Sequence, residues 1–91
     1  MLTVDFSKLA ARFALRLPPK RKNQVGRRIS ALAENPYASD TREIVGFAPF
    51  RRADIGEYRI VYRVSGSMLH IFLIGKRNDD EVYRKLKRLL K

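Results

Sequence analysis

The sequence predicts an α+β fold, with an N-terminal helical hairpin packed on an antiparallel sheet of about four strands and a helix at the C-terminal end. Three observations point to it. Apolar residues recur at helical spacing as far as Glu34, at every second position from Phe50, and at helical spacing again after Asp80. The coarse order is β-α-α-β-β-β-α. A chain of 91 residues has room for one core, so 1–91 is read as a single domain.

Val4 and Phe6 open an apolar stretch that predicts a short strand, with Asp5 or Ser7 capping the helix behind it. Leu9, Ala10, Phe13 and Leu17 share one helical face, and Pro18-Pro19 stops that helix. Lys20 to Glu34 predicts a second helix with Val25, Ile29 and Leu32 as its apolar stripe. Two helices joined by a short proline break suggest an αα-hairpin. Asn35-Pro36-Tyr37 ends it, and the chain through Gly46 to Pro49 reads as loop or irregular edge strand. From there the period is two. Tyr58, Ile60, Tyr62 and Val64 share one strand face, and Arg59, Val61 and Arg63 the other. Ser65-Gly66-Ser67 is a hairpin turn, and Met68 to Ile74, apolar on both faces, predicts a central covered strand closed by Gly75. The last helix runs to Lys91 on Val82, Leu86 and Leu89, with Asp79 or Asp80 as its N-cap.

Charge narrows the function. Twenty Lys and Arg against nine Asp and Glu give a formal net charge of +11, with a sequence pI near 10.7. Such an excess on a small body attracts polyanions and speeds encounter with them, and nucleic acid is the commonest of these. An acidic protein or an anionic surface would answer to the same charge. There is no cysteine, hence no disulfide framework. Met1 to Asp5 has no basic segment leading into an apolar run, and no stretch is long and apolar enough to span a bilayer. A soluble, cytoplasmic protein without a membrane partner is expected.

Several familiar catalytic parts are missing. There is no phosphate-cradling Gly-rich loop, no metal-ligand cluster, and no Ser/His or Cys/His pair, so neither metal nor cofactor is expected. The single histidine, His70, falls inside an apolar strand and is expected to be a packed core residue. What remains is a set of cations near a tyrosine: Arg51, Arg52, Arg59, Arg63, Lys76, Arg77 and Tyr83. RNA cleavage by its own 2′-OH needs in-line positioning and neutralisation of charge growing on the phosphoryl oxygens. Guanidinium groups suit that work, being always charged and able to bind phosphate in a bidentate manner. They are poor bases, so proton transfer falls to Tyr83, Lys76 or the RNA. The bland readings stand beside this one. Arg51-Arg52 reads equally as a surface pair, Arg59 and Arg63 as strand exterior, and Tyr83 as packing on Leu86 and Leu90. The residues alone reach a basic nucleic-acid-binding domain.

Two segments sharpen this. Arg51-Arg52-Ala53-Asp54-Ile55-Gly56-Glu57-Tyr58-Arg59-Ile60-Val61-Tyr62-Arg63 resembles the signature strand pair of RelE-type toxins. Gly75-Lys76-Arg77-Asn78-Asp79-Asp80-Glu81-Val82-Tyr83 resembles their closing motif. With the Leu17-Pro18 break between the helices, the resemblance to the RelE/ParE toxin superfamily covers essentially the whole chain. It implies a RelE-like fold and a ribosome-dependent endoribonuclease that cuts mRNA and is restrained by an acidic antitoxin. The family's central arginine is matched by Arg59, its C-terminal catalytic arginine by Arg77 and its tyrosine by Tyr83. Arg51 and Arg52 stand where members carry basic residues just before the signature strand, and with Lys76 they are the expected RNA-binding cations. The resemblance implies that Lys20, Arg21, Lys22, Arg27 and Arg28 of the helical hairpin contact rRNA. One departure is plain: the RelE pattern alternates two basic residues on the strand before the signature, whereas here adjacent arginines precede Ala53 and acidic Asp54. ParE-type members, which inhibit DNA gyrase by binding, share the fold. Their closing segment generally lacks the Arg/Tyr pair, so Arg77 and Tyr83 favour the nuclease.

Overall fold

The structure is a computed structural model describing residues 1–78 and 81–90. Its elements are β1 (Thr3–Phe6), α1 (Lys8–Arg16), α2 (Pro19–Glu34), β2 (Arg42–Glu43), β3 (Arg51–Ile55), β4 (Tyr58–Ser65), β5 (Met68–Lys76) and α3 (Glu81–Leu89). The α+β class and the placement of the helices are as expected. The sheet differs in detail. It has five strands in the order β1-β5-β4-β3-β2, and β1 joins β5 in parallel while every other pair is antiparallel. The parallel pair arises because β1 leaves the sheet through α1, which packs along β5, rather than through a hairpin turn.

Local chemistry sets the helix ends. Ser7, one of the two expected caps, accepts a hydrogen bond from the Ala10 backbone N–H at 3.0 Å, and its own hydroxyl donates to the Phe72 carbonyl. Pro19 occupies the first position of α2, where a missing N–H costs nothing. The expected cap of α3, Asp79 or Asp80, lies outside the described residues.

Helices cover the two faces of the sheet separately. On one face Val25, Ile29 and Leu32 of α2 and Ala10 of α1 pack with Tyr58, Ile60, Tyr62, Leu69 and Ile71. On the other, Val82 and Leu86 of α3 pack with Val61, Leu73, Ile44 and Phe50. An irregularity between Val61 and Tyr62 pairs those residues with Leu73 and Ile71, leaving Phe72 as an extra residue on β5. The bulge resets the alternation. Ile71 and Ile74 both face the helical hairpin, whereas Leu73 and Gly75 face α3. Without it the end of β5 would present the wrong side chains to α3.

Three expectations need adjusting. Leu9 and Leu89, expected within apolar stripes, are exposed and line a small cavity with Lys85 and Arg88. His70 is not a packed core residue. It lies opposite Asp5 of the parallel strand, and its Nδ1 is 3.0 Å from the Asp5 carboxylate.

Candidate functional site

The β3–β4 hairpin turns on two residues, Gly56-Glu57, with Gly56 at a φ of +56° that favours glycine. So tight a turn fixes the register: Ile55 faces Tyr58, Asp54 faces Arg59, and Arg52 faces Val61. Strand alternation then divides the adjacent arginines. Ala53 packs with Ile60 and Tyr62 in the helical-hairpin core, so Arg51 shares that side. Arg52 and Asp54 share the α3 side with Arg59.

Arg59 is the hub of that side. Its Nε donates to Asp54 Oδ1 at 2.7 Å and its Nη2 to Asp54 Oδ2 at 3.0 Å, a bidentate cross-strand pair. Its Nη1 donates to the Tyr83 hydroxyl at 2.7 Å, and its guanidinium carbon is 5.5 Å from the Tyr83 ring centre. Tyr83 reaches this point from the first turn of α3, held down by its neighbour Val82. The Arg59 hydrogen bond, aided by the charges of Arg59, Arg52 and Arg77, holds the Asp54 carboxyl below the ordinary carboxylate range. Reciprocally, the Asp54 carboxylate and the Tyr83 oxygen make Arg59 hold its proton more firmly.

Arg77 follows one residue past the end of β5, with its backbone N–H donating to the Glu57 carbonyl at 2.8 Å. That bond ties the closing segment to the tip of the β3–β4 hairpin. Among the described residues the sheet end therefore gathers Arg52, Arg59 and Arg77 around the Asp54 carboxylate, with Tyr83 on Arg59. Next to them an open cleft of ≈ 340 Å³ is lined by Arg52, Tyr83, Glu43, Ile44, Val45 and Phe47. Charge on one wall and aromatic surface on another suit a phosphate and its attached base.

The other expected residues lie elsewhere. Arg51 donates to the Thr41 hydroxyl at 2.8 Å and lies over the Tyr37 ring, so it ties the loop before β2 to the sheet. Arg28 pairs with Asp40 of the same loop at 2.9 Å. Lys76 turns away from Arg59 and lines a small cavity with Phe13, Glu81 and Lys85. Lys20, Arg21, Arg27 and Arg28 border a shallow groove that also includes Gln24 and Ile55, while Lys22 borders a depression with Gly26 and Ser30. Ile55 precedes the β3–β4 turn. The α2 cations and the Arg59 cluster thus flank opposite faces of one hairpin end.

Asp54 is the site residue that the sequence reading passed over, having registered it only as a departure from pattern. The signal was present. A two-residue hairpin places positions five apart directly across from each other, and an acid opposite an arginine on one face is a pair. Among the described residues no group of three or more His, Asp or Glu side chains is arranged to hold a metal ion. No helix among them is long and apolar enough to cross a membrane.

Comparison with known proteins agrees with this architecture. The E. coli RelE toxin crystallised in isolation superposes with a TM-score of 0.76 at 19% identity, over 100% of both chains. The RelE–RelB complex of Pyrococcus horikoshii OT3 gives 0.72 at 20% identity, over 84% of this chain and 94% of that one. The RelBE2 toxin–antitoxin complex of Mycobacterium tuberculosis gives 0.72 at 25% identity, over 84% of this chain and 98% of that one. A search of curated proteins returns no match. Residues 4–81 match the family model described as ParE toxin of type II toxin–antitoxin system, parDE. The chain therefore belongs to the ParE toxin family of type II toxin–antitoxin systems.

Proposed function

We propose that this toxin is a metal-independent endoribonuclease that cleaves mRNA on the ribosome and is neutralised by an acidic antitoxin. The observation that carries the reading is the contact of Arg59 with the Tyr83 hydroxyl, at a sheet end that also holds Arg52 and Arg77. In the reaction the 2′-oxygen of the RNA attacks the adjacent phosphorus and the 5′-oxygen leaves. A 2′,3′-cyclic phosphate and a 5′-hydroxyl end result. Arg77, Arg59 and Arg52 offset the charge growing on the phosphoryl oxygens. Tyr83 accepts its hydrogen bond from Arg59, so its own O–H is left to donate. That suits protonation of the leaving 5′-oxygen, and the 2′ proton passes to the RNA or to solvent. Lys20, Arg21, Lys22 and Arg27 extend the positive surface around the hairpin and would meet rRNA phosphates.

The partner reading rests on charge and on the relatives. A net charge of +11 invites an acidic cover, and RelE toxins of this fold have been solved with their RelB antitoxins. The match to a ParE family model supports a second reading, in which the toxin binds and inhibits DNA gyrase and cuts no RNA. The Arg59–Tyr83 arrangement has no assigned task in that reading. Incubating purified toxin with programmed ribosomes separates the two: the nuclease leaves cut mRNA and supercoiling by gyrase untouched, and the gyrase inhibitor does the reverse.

A further inference from the structure

Arg59 meets any substrate with much of its hydrogen-bonding capacity already committed. Three of the five N–H groups of its guanidinium are engaged, two by Asp54 and one by Tyr83, and its side chain is only 14% exposed. The edge formed by Nε and Nη2, the one best suited to a bidentate phosphate contact, is the edge that Asp54 occupies. Among the described residues the other two N–H bonds have no partner and remain for a ligand. A long arginine side chain has many rotamers to lose, and an arginine free to swing would hold neither phosphate nor phenol in a fixed place. Asp54 removes that freedom from the strand side. Its place is fixed by the two-residue turn, which puts it directly across from Arg59.

We propose that Asp54 is a positioning residue: its carboxylate locks the Arg59 guanidinium so that Arg59 aims its remaining N–H bonds at the scissile phosphate and holds the Tyr83 hydroxyl in place. The inference rests on the nuclease reading and adds to it a residue that touches no substrate. It also explains why an acid is tolerated among cations that must attract a polyanion. Asp54 neutralises about one charge of the cluster, and Arg52 and Arg77 keep the site positive.

The test compares wild type with Asp54→Asn and Asp54→Ala, in single-turnover cleavage of mRNA on programmed ribosomes and in NMR of the Arg59 Nε–H and Tyr83 ring signals. Misplacement of a reacting group by about 1 Å can cost about a hundredfold. Asp54→Ala should therefore lower the maximal cleavage rate at least about tenfold, with half-saturation by ribosomes unchanged. Asp54→Asn, which keeps one acceptor oxygen, should fall between. The Arg59 Nε–H should exchange slowly with water in wild type and rapidly in Asp54→Ala, with the Tyr83 signals shifting. An unchanged rate, or a faster one, overturns the proposal, and a faster rate would make Asp54 a competitor of the phosphate. If wild type cuts no RNA, the nuclease reading fails on its own. The NMR comparison then still decides whether Asp54 holds Arg59 and Tyr83, and unchanged signals overturn that.

Discussion

Val82 of α3 lies directly over Gly75 of β5, so close that a β-carbon at Gly75 would collide with a Val82 methyl group. Gly75 is also the cross-strand partner of Arg59. The bare backbone at this point lets α3 settle onto the strand, and the next residue, Tyr83, then reaches Arg59. Gly75→Ala should push α3 outward, costing about 1–3 kcal/mol by overpacking. It should also break the Arg59–Tyr83 hydrogen bond. Thermal unfolding and mRNA cleavage measured together should both decline. Full activity with full stability would show that α3 need not sit this close.

The adjacent arginines of β3 should separate by phenotype. Arg51 holds Thr41 and lies over Tyr37 on the helical-hairpin side, so Arg51→Ala should lower stability, by about 1.5–3 kcal/mol for removal of a charged hydrogen bond. Arg52 faces the cleft beside Tyr83, so Arg52→Ala should lower cleavage with little change in melting temperature. The reverse assignment would mean that the alternation along β3 is out of register.

The surface of α2 should read out in salt. Replacing Lys20, Arg21, Lys22 and Arg27 with neutral residues should weaken ribosome binding and flatten its dependence on salt, by about one unit of slope for each phosphate that is no longer neutralised. Arg28 should behave differently, because it is committed to Asp40, and Arg28→Ala should loosen the loop before β2. An unchanged slope for the fourfold variant would make this helix face a solvated surface only.

Acid stability should report the Asp54–Arg59 pair. The folded state holds the Asp54 carboxyl below its ordinary value of 3.8, so between the two values the unfolded chain binds more protons. The pair's contribution is then fully present above that ordinary value and is lost as pH falls through it toward the folded value. Asp54→Asn should remove this part of the acid limb and leave stability at higher pH free of that dependence. Denaturant unfolding across pH 2 to 6, about two units on either side of the ordinary value, would show it. Identical acid limbs for wild type and variant would deny the pair any role in stability.

Much of this was legible in the sequence, for reasons that can be named. The two-residue period of Tyr58 to Val64 follows from a strand with one wholly apolar face, and Pro18 cannot continue the helix before it whereas Pro19 suits the start of the next. Period alone did not show the Phe72 bulge, because Met68 to Ile74 is apolar on both faces and carries no alternation to break. The parallel β1–β5 pairing joins residues far apart in sequence and leaves no local mark. His70 opposite Asp5 was hidden for the same reason. At the site, Arg59, Arg77 and Tyr83 stand out in the sequence as part of a cationic set and take their separate roles from motif resemblance, whereas the Asp54 contact follows from hairpin register. The division of labour between Arg51 and Arg52 likewise required knowing which face each core lies on.

The most direct measurement is cleavage of mRNA by purified toxin on translating ribosomes, comparing wild type with Arg77→Ala and Arg59→Ala. Loss of one preorganised positive charge at a phosphoryl centre costs on the order of 3–4 kcal/mol, about a hundred- to a thousandfold in rate. Wild type should cut ribosome-bound mRNA, and both variants should be slower by that factor, Arg77→Ala melting near the wild-type temperature and Arg59→Ala lower because it also removes the bidentate pair with Asp54. Arg77→Lys should recover only part of the rate, since an ammonium keeps the charge and loses the fork. Uncut mRNA with active, folded wild-type toxin would contradict the account.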